Sequence, residues 1–489
     1  MTERYDTLIR NANVVDAGRD DAVPGDIAIR GGKIVAVAPN LDAALADEVI
    51  DATGLMAFPG VVDAHMHTGI YQSLAEDAVT ESRAAAWGGV TTSINYMRTG
   101  QYYLNKSGPY REFFPEVLAE SEGNFHVDYA YHLAPMMASH IDEIPHLIED
   151  HGVTSFKIFM FYGGFGLHGA SNDQSKFLMI GDKDRYDIGH FEFVMRGVQQ
   201  ARVQFKDREQ HISLGLHCET AEIMRVYTQM VQDEGKLEGL HAYHAARPPH
   251  SEGLAIFIAS YLANETALPN INLLHLTSKK AVVAALQMQE VFPHINFGRE
   301  VTIGHLVLDT NSKAAAFAKV NPPIRPREDV EYLWERLLDG DIHWVVSDHA
   351  CCRTEYKLHC GEHRHSIFLA KSGFGGTEYL LTAMITEGRK RGLSMGRIAA
   401  LTSANPAARF GFPSKGGIVV GRDADIALVD PDKSWAVRAV DSPSQQGYTP
   451  FEGYEMSARI TRTLLRGRTV FADGNLVGAA GGKYLKRPY

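Results

Sequence analysis

Between residues 58 and 411 the chain carries eight apolar, strand-like runs, at 60–64, 90–96, 126–132, 154–160, 212–217, 271–276, 301–305 and 342–347. Longer segments compatible with helix separate them, an alternation that calls for βα units around a parallel sheet. Eight such units in this length predict a (β/α)8 barrel with insertions, whose chemistry gathers where the strands end at the C-terminal face. The flanks read differently. Residues 7–15, 26–30 and 33–38 are short strands with Gly31 and Gly32 as a hairpin turn, and 424–429, 461–466 and 469–472 repeat the style around Gly467. Both termini are therefore expected to share one small β-sandwich, formed from 1–57 and 412–489, with the barrel spanning 58–411. A chain of 489 residues is long enough for these two units.

Polar residues at the strand ends are the next constraint. The first run passes from Val61-Val62-Asp63-Ala64 into His65-Met66-His67, and strand alternation puts both imidazoles on one face. Alone, that pattern is equally compatible with two loop histidines. The fifth run ends in His217, the sixth reaches His275, and the eighth leads into Asp348 within Val345-Val346-Ser347-Asp348-His349. Each taken singly reads as an ordinary core or surface residue; together they form the imidazole and carboxylate set of a catalytic zinc or related divalent site. Lys157 stands inside Ser155-Phe156-Lys157-Ile158-Phe159-Met160, a run otherwise suited to burial on both faces. A buried ammonium tends to lose its proton, and a neutral amine can take up carbon dioxide as a carbamate able to bridge two cations. A lysine snorkelling from the strand end is the alternative.

The run Phe58-Pro59-Gly60-Val61-Val62-Asp63-Ala64-His65-Met66-His67, with Lys157, His217, His275 and Asp348, resembles the amidohydrolase superfamily. Within it the chain is most similar to the cyclic amidase branch of hydantoinases, dihydropyrimidinases, allantoinases and dihydroorotases. Supporting segments are Arg83-Ala84-Ala85-Ala86-Trp87-Gly88-Gly89-Val90-Thr91-Thr92, Asn321-Pro322-Pro323-Ile324-Arg325 and Thr449-Pro450-Phe451-Glu452-Gly453. The resemblance implies two divalent ions, zinc or manganese. One is held by His65, His67, a Lys157 carbamate made from carbon dioxide, and Asp348; the other by that carbamate, His217 and His275. It further implies a bridging hydroxide as nucleophile, Asp348 as the base that later protonates the leaving nitrogen, and Tyr162 as donor to the tetrahedral oxyanion. Asn321 and Ser372 fall where the family contacts the ring through backbone atoms. A homodimer or homotetramer follows from the same resemblance.

The implied reaction is opening of a small cyclic amide of the hydantoin or dihydropyrimidine type, with allantoin or another amide as the alternative. A mononuclear deaminase is disfavoured by Lys157, and a non-catalytic relative by the complete ligand set. Dihydroorotate is disfavoured because Thr68-Gly69-Ile70 stands where an arginine would be expected after the paired histidines. Between Lys157 and His217 lie 59 residues, including Gly163-Gly164-Phe165-Gly166-Leu167-His168-Gly169, which suits a lid or an oligomer contact. Cys351, Cys352 and Cys360 crowd one loop with His359, His363 and His365, at a spacing that matches no standard zinc finger, so a wall of the substrate mouth is expected there. A net charge of -11 leaves no basic surplus for nucleic acid or anionic membrane. The charged Met1-to-Arg10 start, the lack of a spanning apolar run and only four cysteines are read as cytoplasmic.

Overall fold

Eight parallel strands follow one another in chain order: Val61–Met66, Val90–Met97, Asp128–Leu133, Ser155–Phe159, Ser213–His217, Asn270–Leu273, Asn296–Thr302 and Trp344–Val346. The computed structural model describes residues 4–162, 177–181, 183–358 and 366–489. The first and eighth strands meet through a parallel bridge between Met66 and His349, which closes the barrel. Asp63 pins that seam, accepting from the Ser347 N–H at 3.0 Å, the Ser347 hydroxyl at 2.5 Å and the Thr377 hydroxyl at 2.8 Å.

Helices cover the barrel because their apolar residues recur at helical spacing. Helix Arg327–Leu338 buries Val330, Leu333, Trp334 and Leu337, opens on the acidic Glu328 and Asp329, and is followed by Gly340 at φ 90°. Each large side chain so buried contributes about 1.5–3 kcal/mol. Trp334 also donates its indole N–H to the Leu306 carbonyl at 2.8 Å, tying the helix to the strand unit before it.

The seventh strand differs from the sequence reading. It spans Asn296–Thr302, and the expected run at 301–305 is mostly a short helix, Ile303–Val307. Thr302 caps that helix by accepting the His305 N–H at 3.2 Å, and Ile303, Leu306 and Val307 are buried at helical i, i+3, i+4 spacing. A short apolar run cannot distinguish strand from buried helix by periodicity alone.

Strands from both termini build one mixed sheet of nine strands, forming the β-sandwich portion of the fold. Met56–Pro59 is its join, pairing in parallel with Tyr5–Val14 and antiparallel with Ile426–Asp430. Ile9, Ile27, Ile29, Ile34, Ile426, Leu428 and Leu464 form its buried face. The Gly31-Gly32 turn follows the expectation, with φ of 58° and 76° between paired Arg30 and Lys33. The last residues run along the N-terminal ends of the third and fourth barrel strands, where Arg487 bonds the Ser155 hydroxyl at 2.6 Å and the Tyr131 carbonyl at 2.5 Å. No helix among the described residues is long and apolar enough to cross a membrane.

Candidate metal centre and substrate pocket

The C-terminal ends of the strands enclose one pocket whose lining includes His67, Lys157, Tyr162, His217, His275, Asn321, Asp348 and Ser372. His65 lies immediately beneath, fully buried on the first strand. The nine residues singled out in the sequence thus converge, although they come from segments up to 307 positions apart, His65 to Ser372. His275 and Asp348 stand two residues beyond their strands and adopt φ of 34° and 53°. Left-handed backbone at non-glycine residues costs energy and concentrates at functional sites.

One half of the centre is built on Asp348. Its Oδ1 lies 3.1 Å from His65 Nε2 and 3.2 Å from His67 Nε2. Lys157 Nζ is 3.1 Å from the same His65 Nε2 and 3.7 Å from the centroid of the Tyr96 ring. Burial pulls the Lys157 ammonium down to about 7 against the opposing charges of Asp348 and Glu300, so a neutral amine is accessible near neutral pH. Burial works to raise the Asp348 carboxyl, but the His67 hydrogen bond and the charges of His67, His275 and Lys157 outweigh it and hold the group below its ordinary value.

The other half is built on His217 and His275, whose ring centroids are 4.3 Å apart. His217 Nε2 meets Glu219 at 2.7 Å, a bond that orients the ring. His275 Nδ1 is buried without a hydrogen-bond partner among the described residues, and ligand atoms of His65, His275 and Asp348 lie within 4.8 Å of one another. Four imidazoles, a carboxylate and a desolvated amine that can become a carboxylate make a donor set suited to borderline divalent cations. An orphaned ring nitrogen within that set is what a ligand awaiting its cation presents. The residues therefore fit a metal centre.

Sequence reasoning missed the groups that aim these donors. Glu300, on the seventh strand, takes His65 Nδ1 at 2.7 Å, the His275 N–H at 3.2 Å and the Trp344 indole at 2.8 Å; burial raises its carboxyl to about 8. Glu219 is gripped by Arg247 through Nε at 2.9 Å and Nη2 at 2.7 Å. The Tyr103 hydroxyl meets His67 Nδ1 at 2.5 Å. Partners of this kind fix which ring nitrogen faces the metal. A usable signal existed for Glu219, two residues after His217, and for Glu300, a carboxylate inside a barrel strand. None existed for Tyr103.

Tyr162, Asn321 and Ser372, the expected substrate contacts, line the same pocket. Tyr162 closes a short turn, Met160–Tyr162, after the fourth strand, with its ring stacked on Phe159 at 4.7 Å. Asn321 Oδ1 accepts from Tyr243 and Arg247, while its Nδ2 is buried without a partner among the described residues. The Ser372 carbonyl already accepts the Tyr71 hydroxyl at 2.7 Å, and Gly373 follows at φ 93° with Ala350 too close to admit a Cβ. Cys351 and Cys352 are buried, form no disulfide among the described residues and are not among the residues that line the pocket. The expected glycine-rich segment 163–169 and the histidines and cysteine of 359–365 lie outside the described residues.

Comparison with known proteins agrees with this geometry. The model of the Amidohydrolase family matches residues 216–470. A curated allantoinase of Rubrobacter xylanophilus is 32% identical, with 99% of this chain and 98% of that protein aligned. Among solved structures, the dihydropyrimidinase from Brevibacillus agri NCHU1002 superposes with a TM-score of 0.83 at 27% identity over 98% of each chain. The D-hydantoinase (dihydropyrimidinase) from a Thermus species does so with a TM-score of 0.82 at 28% identity, covering 98% of this chain and 99% of its own.

Proposed function

Because the chain belongs to the amidohydrolase family, in its cyclic amidase branch, we propose that it opens the ring of a small cyclic amide of the hydantoin type, with dihydropyrimidines as the next class to test. Hydantoin and allantoin share the same five-membered ring, so the similarity to an allantoinase and to hydantoinases points to one ring chemistry with different substituents. The observation that carries the reading is the convergence of His65, His67, Lys157, His217, His275 and Asp348 on one buried pocket.

His65, His67, Asp348 and Lys157 as its carbamate would hold one divalent cation, zinc or manganese, and the carbamate, His217 and His275 the other. When bound, such a pair supplies an acidified water and polarises the amide carbonyl. The rest falls to the side chains. Asp348, whose carboxylate is held ionised, takes the proton of the attacking water and returns it to the leaving ring nitrogen, acting first as base and then as acid. Tyr162 donates its phenol proton to the carbonyl oxygen as negative charge develops there. Asn321 and Ser372, which line the pocket, would contact the ring through their backbone atoms. A subunit assembly of two or four chains goes with this reading.

The test is a panel of hydantoin, substituted hydantoins, allantoin, dihydrouracil, dihydroorotate and linear amides, scored for hydrolysis by protein of measured metal content. Opening of a hydantoin-type ring with about two ions per chain is expected. A preparation holding two ions that opens no cyclic amide would overturn the reading. One ion per chain together with release of ammonia from an aminated ring would replace it with a deaminase.

A further inference from the structure

Arg98 follows the second barrel strand, Val90–Met97, and is 1% exposed, yet among the described residues no carboxylate pairs with it. The contrast is with Arg247 and Arg325, equally buried, which pair with Glu219 at 2.7 Å and Glu252 at 2.6 Å. Arg98 instead donates Nη1 to the Thr99 carbonyl at 3.0 Å and leaves Nε buried without a partner among the described residues. Its charge lies among three rings, with Cζ 4.7 Å from the centroid of Phe177, 5.4 Å from Tyr162 and 5.5 Å from Tyr103. Gly100, at φ 111°, closes the nest, since a Cβ there would come within 2.8 Å of Arg98 Nη1.

A desolvated cation without a counter-ion is costly, and ring faces recover only part of that cost. Such an arrangement is retained where negative charge arrives during the work of the site. We propose that Arg98 is a positioning residue for oxyanion stabilisation, its guanidinium supplying the positive charge that lets the Tyr162 phenol share the negative charge arriving on the substrate carbonyl. This rests on the reading of Tyr162 as oxyanion donor. Burial raises the Tyr162 phenol, and the Arg98 guanidinium opposes that rise, by its charge first and by hydrogen bonding second. A guanidinium can only donate and stays protonated. Interaction with Arg98 therefore favours a phenol that is giving its proton up, which is the state of the transition state more than of the bound substrate.

Kinetics on the best cyclic amide, with metal content measured in each preparation, test this through a double-variant cycle. Arg98→Met should lower kcat by about tenfold to a hundredfold, with KM changed little and both ions retained. Arg98→Lys should recover part of the loss, because it returns the charge without the planar fork. In a Tyr162→Phe background, where the phenol is absent, Arg98→Met should change kcat by less than about twofold. Equal effects of Arg98→Met in both backgrounds would overturn the proposal, as would loss of metal in Arg98→Met, which would assign the residue to Tyr103 and His67. Should the methionine variant fail to fold, Arg98→Lys takes its place in the same cycle: additive losses refute, non-additive losses support. An unchanged kcat in Tyr162→Phe alone removes the underlying reading of Tyr162 and leaves a distinct result.

Discussion

Arg247→Met removes a guanidinium that is 2% exposed and leaves Glu219, fully buried, with the His217 ring as its remaining side-chain partner among the described residues. Two charge-assisted bonds to Glu219 disappear, together with those to the Tyr243 hydroxyl at 2.6 Å and to Asn321. Taking one partner from a buried pair costs about 3–5 kcal/mol, chiefly because the remaining charge is uncompensated. The methionine stem restores much of the packing, so that figure is the expected loss in unfolding free energy, read from urea denaturation of the loaded protein. Glu219 has a second way out, which is to take up a proton. It would then bind the His217 Nε2–H less strongly, and the affinity for the second cation should fall by about tenfold to a hundredfold, as for other lost partners of a ligating histidine. Replacing both residues, Glu219→Leu with Arg247→Met, removes both charges and should be less destabilising than Arg247→Met alone. If the double variant instead loses the sum of the single losses, or Arg247→Met is as stable as the parent, the coupling argued from these distances is wrong.

Three further outcomes follow from the same structure. Lys157→Ala should leave fewer than two ions per chain and almost no turnover, with partial recovery on adding a short carboxylic acid; full metal content with normal turnover would exclude the bridging role. Asp348→Asn keeps an oxygen ligand but not a base, so metal analysis should find occupancy largely kept while kcat falls by about a hundredfold. Glu387 is gripped by Lys390 at 2.6 Å, by Arg391 at 2.5 Å and by Tyr454. Although burial pushes its carboxyl up, those bonds hold it below the ordinary 4.5. A depressed carboxyl stabilises the fold above its unfolded value and loses that contribution as pH falls through the folded one. The stability gap between the parent and Glu387→Gln should therefore shrink as pH drops from about 5 toward 3, and urea unfolding across that range would expose a gap that stays constant.

What could be read from the chain and what could not divide along sequence distance. The proposed ligands were legible because each is a polar residue in or just after an apolar run, a relation spanning only a few positions: His65 on the first strand with His67 just past its end, Lys157 inside the fourth, His217 closing the fifth, and His275 and Asp348 two residues beyond the sixth and eighth. The mixed terminal sheet was legible as two similar textures. Its join at Met56–Pro59 was not, because pairing with Ile426–Asp430 is a long-range choice. The seventh strand was displaced because Thr302 could end a strand or cap a helix, and only packing decides. Harder still was the turn holding Tyr103 on His67. Tyr102, Tyr103, Leu104 and Asn105 all adopt φ between 47° and 66°, a left-handed path that side-chain sterics disfavour and that nothing local announces.

Two of the groups that would orient the proposed ligands do so across the chain: Glu300 reaches His65 across 235 positions and Tyr103 reaches His67 across 36, pairings that nothing local announces. A chain that kept all six proposed ligands but lost Glu219, Glu300 or Tyr103 would still read as a metal centre in sequence. Its imidazoles would lack the bonds that fix their tautomers and ring angles. The informative comparison between similar chains is therefore at these supporting positions, where a change alters cation affinity and pocket geometry while leaving the ligand pattern intact.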